Sequence, residues 1–176
     1  MTDTQRGLTF IELIIGLSVL AVIVTAAIPA FGQFLERQRV TSHANSLVAH
    51  LQFARHEAIV RNAPVTACPS ADGRHCSDDN RWDAGWIVYL DPDTDSQPAS
   101  ADRVLRVVAA TNELVLHSGG RLRVRFRPDG AAYGTNLTIR VCPPGDPDNA
   151  RAVIVSNPGR VRATGDVRPA ECQLDG

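Results

Sequence analysis

Four residues near the end of the chain concentrate its chemistry: Gly159-Arg160-Val161-Arg162. In an extended segment alternate side chains point to one face, so Arg160 and Arg162 present two guanidinium forks side by side, and Gly159 lets the main chain approach what they grip. A guanidinium fork matches a pair of phosphate oxygens, so the pattern suits a phosphate backbone. Arg151 and Arg168 lie nearby in sequence and extend the candidate set. The plainer alternative is an Arg-rich surface strand that pairs with acidic loops of a neighbouring subunit. A second comb, Arg121-Leu122-Arg123-Val124-Arg125-Phe126-Arg127, alternates strictly. It predicts a half-buried strand, with Leu122, Val124 and Phe126 in the core and four guanidiniums on a solvated face. It becomes an auxiliary phosphate track only if the fold lays it beside Arg160.

Acidic and sulfur-bearing residues form the other clusters. Asp91, Asp93, Asp95 and Asp102 stand at positions 1, 3, 5 and 12 of a calcium-loop spacing, but Ser96 occupies the position where such a loop needs glycine and no helix pair flanks it. A surface acidic turn after a strand is the reading preferred over calcium. The four cysteines, Cys68, Cys76, Cys142 and Cys172, allow three pairings as two disulfides. The favoured pairing joins Cys68 to Cys76 across a polar loop and Cys142 to Cys172, stapling the C-terminal tail onto a strand. Zinc at Cys76 and His75 is the rival, although Cys-x7-Cys fits no common zinc knuckle. The five histidines are scattered, and no nucleophile elbow, phosphate-binding loop or H-E-x-x-H motif is present. No enzyme, metal or cofactor is expected. Asn136-Leu137-Thr138 matches the glycosylation sequon without further support.

Charge is unevenly spread. The formal net charge is -1, yet residues 72–102 hold eight Asp against Arg74 and Arg81, residues 103–127 hold six Arg against Glu113, and residues 151–168 hold four Arg against Asp166. An acidic and a basic side are expected. All 18 basic residues are Arg, the better fork for phosphate.

At the other end, the run from Leu13 to Leu35 carries no charged side chain. Twenty-three helical residues at about 1.5 Å each exceed a bilayer core of roughly 30 Å, so the run is long enough to span a membrane. A secretory signal has a shorter apolar run, and Glu12 near the start of this one needs a partner or a task, because a carboxylate in lipid is costly. Cleavage after Gly7 would make Glu12 the fifth residue and give Leu8 a free amine, a positive group for a neighbouring copy's Glu12. Beyond Pro29, Val40, Ala44, Leu47, Leu51, Ala54 and Ala58 recur at helical spacing and predict an amphipathic continuation that stops near Asn62, ahead of Pro64. Eight short strands should follow: Val65 to Cys68, Gly85 to Leu90, Val104 to Ala109, Leu114 to His117, Arg121 to Arg127, Leu137 to Cys142, Ala152 to Ser156 and Arg160 to Thr164. Antiparallel meanders fit their spacing, with an apolar face covering the helix.

At Gly7-Leu8-Thr9-Phe10-Ile11-Glu12 the chain resembles type IV pilins and type II secretion pseudopilins, with Gly7 as the last leader residue, Leu8 as the methylated first residue, where Phe or Met is more usual, and Glu12 as the family's glutamate. Pro29 falls at the helix-kinking proline. Val65-Thr66-Ala67-Cys68-Pro69-Ser70, Trp82, Gly85-Trp86-Ile87-Val88-Tyr89-Leu90-Asp91 and Gly159-Arg160-Val161-Arg162 resemble the minor pilins that include pseudopilin H and FimT. The resemblance implies an α+β fold, a long N-terminal helix against a C-terminal antiparallel β-sheet domain. It divides the chain into a cleaved leader (1–7), a transmembrane and filament-core helix (8–35), its amphipathic continuation (36–62) and a β-rich domain (63–176). It further implies prepilin peptidase, other pilins or pseudopilins and inner-membrane lipid as partners, a single-pass inner-membrane protein with a periplasmic domain, and an extracellular place once in the filament. In FimT-like pilins the Gly-Arg-x-Arg motif is associated with double-stranded DNA uptake in natural transformation. The alternative is a structural minor pseudopilin or tip component without DNA binding.

Overall fold

The computed structural model describes residues 9–172, apart from the side chains at positions 26, 29 and 30. Gly7 and Leu8 therefore lie outside the described residues. The first described element is helix α1, Phe10–Val60. Thr9 caps it: the Glu12 amide donates to Thr9 Oγ1 at 3.4 Å, so Thr9 and Glu12 stand at the two ends of a capping-box sequence. Its other end closes as a Schellman turn, with Asn62 left-handed at φ 49°, the Ala63 amide on the Ala58 carbonyl and the Asn62 amide on the Ile59 carbonyl. Pro64 then prevents further helix.

The chain divides into two compact units, Met1–Gln38 and Arg39–Gly176. In the first, large apolar side chains from Phe10 to Leu35 are exposed. Over the described residues no helix is long and apolar enough to cross a membrane, so the span read from Leu13 to Leu35 rests on the sequence. In the second unit, the predicted helical stripe is the buried one: Val40, Ala44, Leu47, Leu51, Ala54 and Ala58 are all fully buried. The three alanines on this stripe let the sheets approach the helix closely.

Among the described residues eight strands follow: β1 Val65–Pro69, β2 Trp86–Leu90, β3 Val104–Val108, β4 Val115–Ser118, β5 Val124–Phe126, β6 Leu137–Cys142, β7 Arg151–Val155 and β8 Val161–Thr164. They form two four-stranded sheets, β3-β2-β1-β5 and β4-β6-β7-β8, with every pairing antiparallel. Simple meanders do not describe them, because β4 joins the later strands while β5 returns to β1. One apolar core gathers the α1 stripe with Val65, Ala67, Trp86, Val88 and Phe126 of the first sheet and Leu116, Ile139, Val141, Val153 and Val155 of the second. Strand alternation puts Ile87 and Tyr89 on the far side of the first sheet, where they pack with Cys68 and Cys76.

Both favoured disulfides are present, Cys68–Cys76 and Cys142–Cys172. Loop-closure entropy gives the second, which spans 30 residues, about 3.6 kcal/mol and the first about 2.5 kcal/mol. Zinc at Cys76 is excluded by its bond to Cys68, and His75 turns instead to Asp72, its Nδ1 2.7 Å from Oδ2.

The second Arg comb departs from expectation. Only Val124–Phe126 pairs as a strand, and the guanidiniums do not form one solvated face: Arg121 and Arg127 are exposed, Arg123 and Arg125 half-buried. Arg125 Nε donates to Asp91 Oδ2 at 2.8 Å, and its Nη2 donates to the Thr94 carbonyl and to Ser96 Oγ; Arg123 donates to the Ser96 carbonyl and Arg121 to that of Gly134. Asp91 is buried, and its Oδ2 also accepts from Thr66 Oγ1 at 2.7 Å. The calcium-like loop is thus organised by a guanidinium that bonds Asp91, the Thr94 carbonyl and Ser96. Among the described residues no cluster could hold a metal ion. Removing one member of a buried pair strands the other's charge, so Arg125→Met is expected to cost about 3 kcal/mol in urea denaturation, and adding Asp91→Leu to recover most of it. A loss below about 1 kcal/mol in the single variant would show that the pair does not hold the loop.

Candidate nucleic-acid interface

Strands β7 and β8 make a hairpin closed by Ser156-Asn157-Pro158-Gly159, with the Gly159 amide on the Ser156 carbonyl at 2.8 Å and the Ser156 amide on the Arg160 carbonyl at 3.0 Å. Pro158 fixes one φ of the turn, and Gly159 adopts φ +76°, a region that side chains disfavour. Gly159 is buried, and a Cβ there would lie 1.8 Å from the Gly130 carbonyl oxygen. Its close approach is therefore to the protein's own main chain. Arg55 of α1 donates to that same oxygen at 3.0 Å, and the Ala132 amide reaches the Asn157 carbonyl at 2.8 Å. Helix, Gly130 turn and hairpin turn are pinned at one point.

The pin fixes where the next residues face. Val161 is buried opposite Val155, so alternation turns Arg160 and Arg162 away from the core, and both are exposed. Arg162 stands opposite Ile154 on the outer face of the second sheet, while Arg160 lines a recess of about 340 Å³ with Gln52, Arg55, His56 and Ile59 of α1. Neither guanidinium has a hydrogen bond or ion pair with another described residue. They flank Val161 at the start of the edge strand β8, where an elongated partner can reach them.

The other two candidates diverge. Arg168 is 83% exposed on the tail and donates to Glu171 Oε1 at 2.8 Å. Arg151 pairs with Val141 and shares strand parity with buried Val153 and Val155, which puts it on the face opposite Arg162. Nor does the comb at 121–127 join the motif as a continuous track, since Arg121, Arg123 and Arg125 are held by loop carbonyls and by Asp91, which leaves only Arg127 exposed without a partner among the described residues. Sequence reasoning missed Arg140, which stands on the outer face two residues before Cys142 and donates to Glu171 Oε2 at 2.9 Å. The alternation Leu137-Thr-Ile-Arg-Val-Cys142 marked it, because buried Leu137, Ile139 and Val141 leave Thr138 and Arg140 outward.

Glu171, between two guanidiniums, has a carboxyl held below the usual range, Arg168 contributing first and Arg140 second. A depressed carboxyl contributes stability above its unfolded value and loses it as pH falls through the folded one. The tail's hold on the sheet weakens on acidification.

The family model described as type II transport protein GspH matches residues 43–159, and the prokaryotic N-terminal methylation motif matches residues 3–28. The pilin-like protein PilA1 of Thermus thermophilus is 27% identical over 172 residues, covering 90% of this chain and 98% of that protein. Among solved structures, the type IV minor pilin FimU of Pseudomonas aeruginosa is similar at a TM-score of 0.59 and 24% identity, over 74% of this chain and 92% of that one. The minor pseudopilin EpsH of the Vibrio cholerae type 2 secretion system is similar at 0.50 and 15%, over 71% and 95%.

Gly159→Ala drives a methyl into fixed backbone and strains φ, so it is expected to destabilise by at least about 2 kcal/mol, lowering Tm by about 6 °C in near-ultraviolet dichroism of the full chain in detergent. An unchanged Tm would mean the pin is not rigid.

Proposed function

The chain belongs to the type II transport protein GspH family, and from that premise we propose that it is a minor pilin that binds double-stranded DNA through Arg160 and Arg162 for uptake in natural transformation. The carrying observation is the contrast among the arginines. Arg121, Arg123, Arg125, Arg140 and Arg168 each have a partner, whereas Arg160 and Arg162, at the start of the edge strand, are exposed with none among the described residues, as is Arg127 at the Gly130 turn. A guanidinium left unpaired beside a rigid turn is poised to exchange water and counterions for phosphate. Gly159 serves by shaping the turn. Arg168 stands on the tail at the outer face and extends the footprint; Arg151, on the other face, contributes least.

The rest of the life cycle follows from the N-terminal motif. Prepilin peptidase removes residues 1–7, Leu8 is N-methylated, and the subunit waits in the inner membrane with its domain in the periplasm until it joins other pilins in a filament outside the cell. Glu12 meets the Leu8 amine of a neighbour there. Intact-mass spectrometry of the protein from cells with the peptidase should show loss of residues 1–7 and gain of one methyl group. An uncleaved chain would overturn this processing.

DNA binding should be electrostatic and indifferent to sequence, with log affinity falling against log salt at roughly 0.9 per phosphate neutralised. In fluorescence anisotropy of the full chain in non-ionic detergent, Arg160→Gln/Arg162→Gln is expected to weaken binding to a short duplex about tenfold or more and to flatten the salt slope by about 2, with unchanged Tm. Equal binding by wild type and variant sinks the reading. A second reading makes the domain purely architectural, as an H-type pseudopilin or tip component. It draws on the family match ending at residue 159, just before Arg160. Tight association with other minor pseudopilins, and no DNA binding by the wild type, would favour it.

A further inference from the structure

A cavity of about 680 Å³ opens on the outer face of the second sheet, lined by Asn80, Arg81, His117, Arg140, Arg168 and Glu171 among others. Three guanidiniums face it against one carboxylate. Arg81 is committed to Asp83, at 2.9 Å and 2.5 Å. Arg140 and Arg168 hold the two oxygens of Glu171 through their Nε atoms, and their terminal nitrogens make no hydrogen bond with described residues. Gly119 and Gly120 line the same cavity, and without side chains they leave the end of Arg140 uncovered. At its inner wall His117, opposite Arg140 in the register, is 6% exposed, and its Nε2 is buried with no hydrogen-bond partner. A buried ring nitrogen left unmatched is costly unless something in the cavity meets it.

We propose that this cavity is a binding site for a small oxyanion, a phosphate or carboxylate group, held by the terminal nitrogens of Arg140 and Arg168 and met at its inner end by His117 Nε2. Glu171 shows that these arginines accept a carboxylate; the excess of guanidinium over carboxylate leaves room for another anion. The site goes beyond DNA binding and shares only Arg168 with the proposed footprint. The groups facing His117 are Arg140 on β6, Arg81 and Asp83 on the turn before β2, and Glu171 on the tail. Burial first, then the charge of Arg140, hold the imidazole below its ordinary value, so it is neutral at neutral pH. An anion beside it offsets Arg140 and favours the protonated ring, which donates from Nε2. Affinity therefore rises as pH falls.

The test uses the full chain in non-ionic detergent, with histidine-labelled NMR following the His117 ring during titration with sulfate, a tetrahedral probe of fixed charge, and separately with acetate. A saturable shift is expected, about fivefold tighter at pH 5.5 than at pH 7.5, weakened about tenfold by Arg140→Gln and unaffected by Arg74→Gln. Tighter sulfate assigns the site to phosphate groups, tighter acetate to carboxylates. Should Arg140→Gln perturb folding, the sulfate-dependent rise in wild-type Tm at the two pH values gives the same reading, larger at pH 5.5. Non-saturating shifts with both anions, or saturation unchanged in folded Arg140→Gln, overturns the proposal. So does a His117 shift produced only by duplex DNA, which would make the cavity part of the DNA face.

Discussion

A carboxylate that is fully buried must be met by a cation, and in this fold Arg125 meets Asp91. The pair sits where β2 leaves the first sheet, with Thr66 of β1 completing the contact, so three segments distant in sequence share one satisfied charge. Around it the Asp91–Ser96 loop takes its left-handed turns at Thr94 and Ser96, and Arg123 adds a further bond to the loop. The acidic stretch and the basic stretch, separate along the chain, are thereby folded against each other. What is left over on the surface is the charge that found no internal partner.

That sorting explains why local pattern read some features and missed others. The α1 stripe, the eight strands and both disulfides were legible, because helical spacing, short Val- and Ile-rich runs and an even set of four cysteines are local signals. The division into two sheets was not. It depends on β5 returning to β1 across an intervening strand, a choice made by long-range packing of Val124 and Phe126 into the core. Likewise, strict alternation at 121–127 put Val124 and Phe126 correctly in the core, while Leu122 is only half-buried, and it said nothing of where the guanidiniums go. The partners of Arg123 and Arg125 lie about thirty residues earlier, in the loop whose carboxylate spacing imitated a calcium site, and that of Arg121 is the Gly134 carbonyl.

At the candidate interface the motif was legible and its mechanics were not. Gly159 stands out in sequence as a freedom to approach a ligand; in the fold that freedom is used to clear Gly130 and Arg55. The two flanking arginines gain their exposure from this pin and from the burial of Val161 between them. Arg151 and Arg162 look equivalent as nearby arginines, yet strand parity sends them to opposite faces. Arg140 and His117 were hidden for the converse reason: each reads as an interior position of a short strand, and only the register between β4 and β6 sets them side by side.

The Cys142–Cys172 bond has a topological effect distinct from its stabilising one. It turns residues 142–172 into a covalent ring that contains β7, β8 and the arginine hairpin. A single cut at the exposed Asn157-Pro158 tip would open the turn without releasing either piece, since both remain joined through sulfur. The arginine hairpin thus stays attached after one break, and only reduction together with cleavage would shed it.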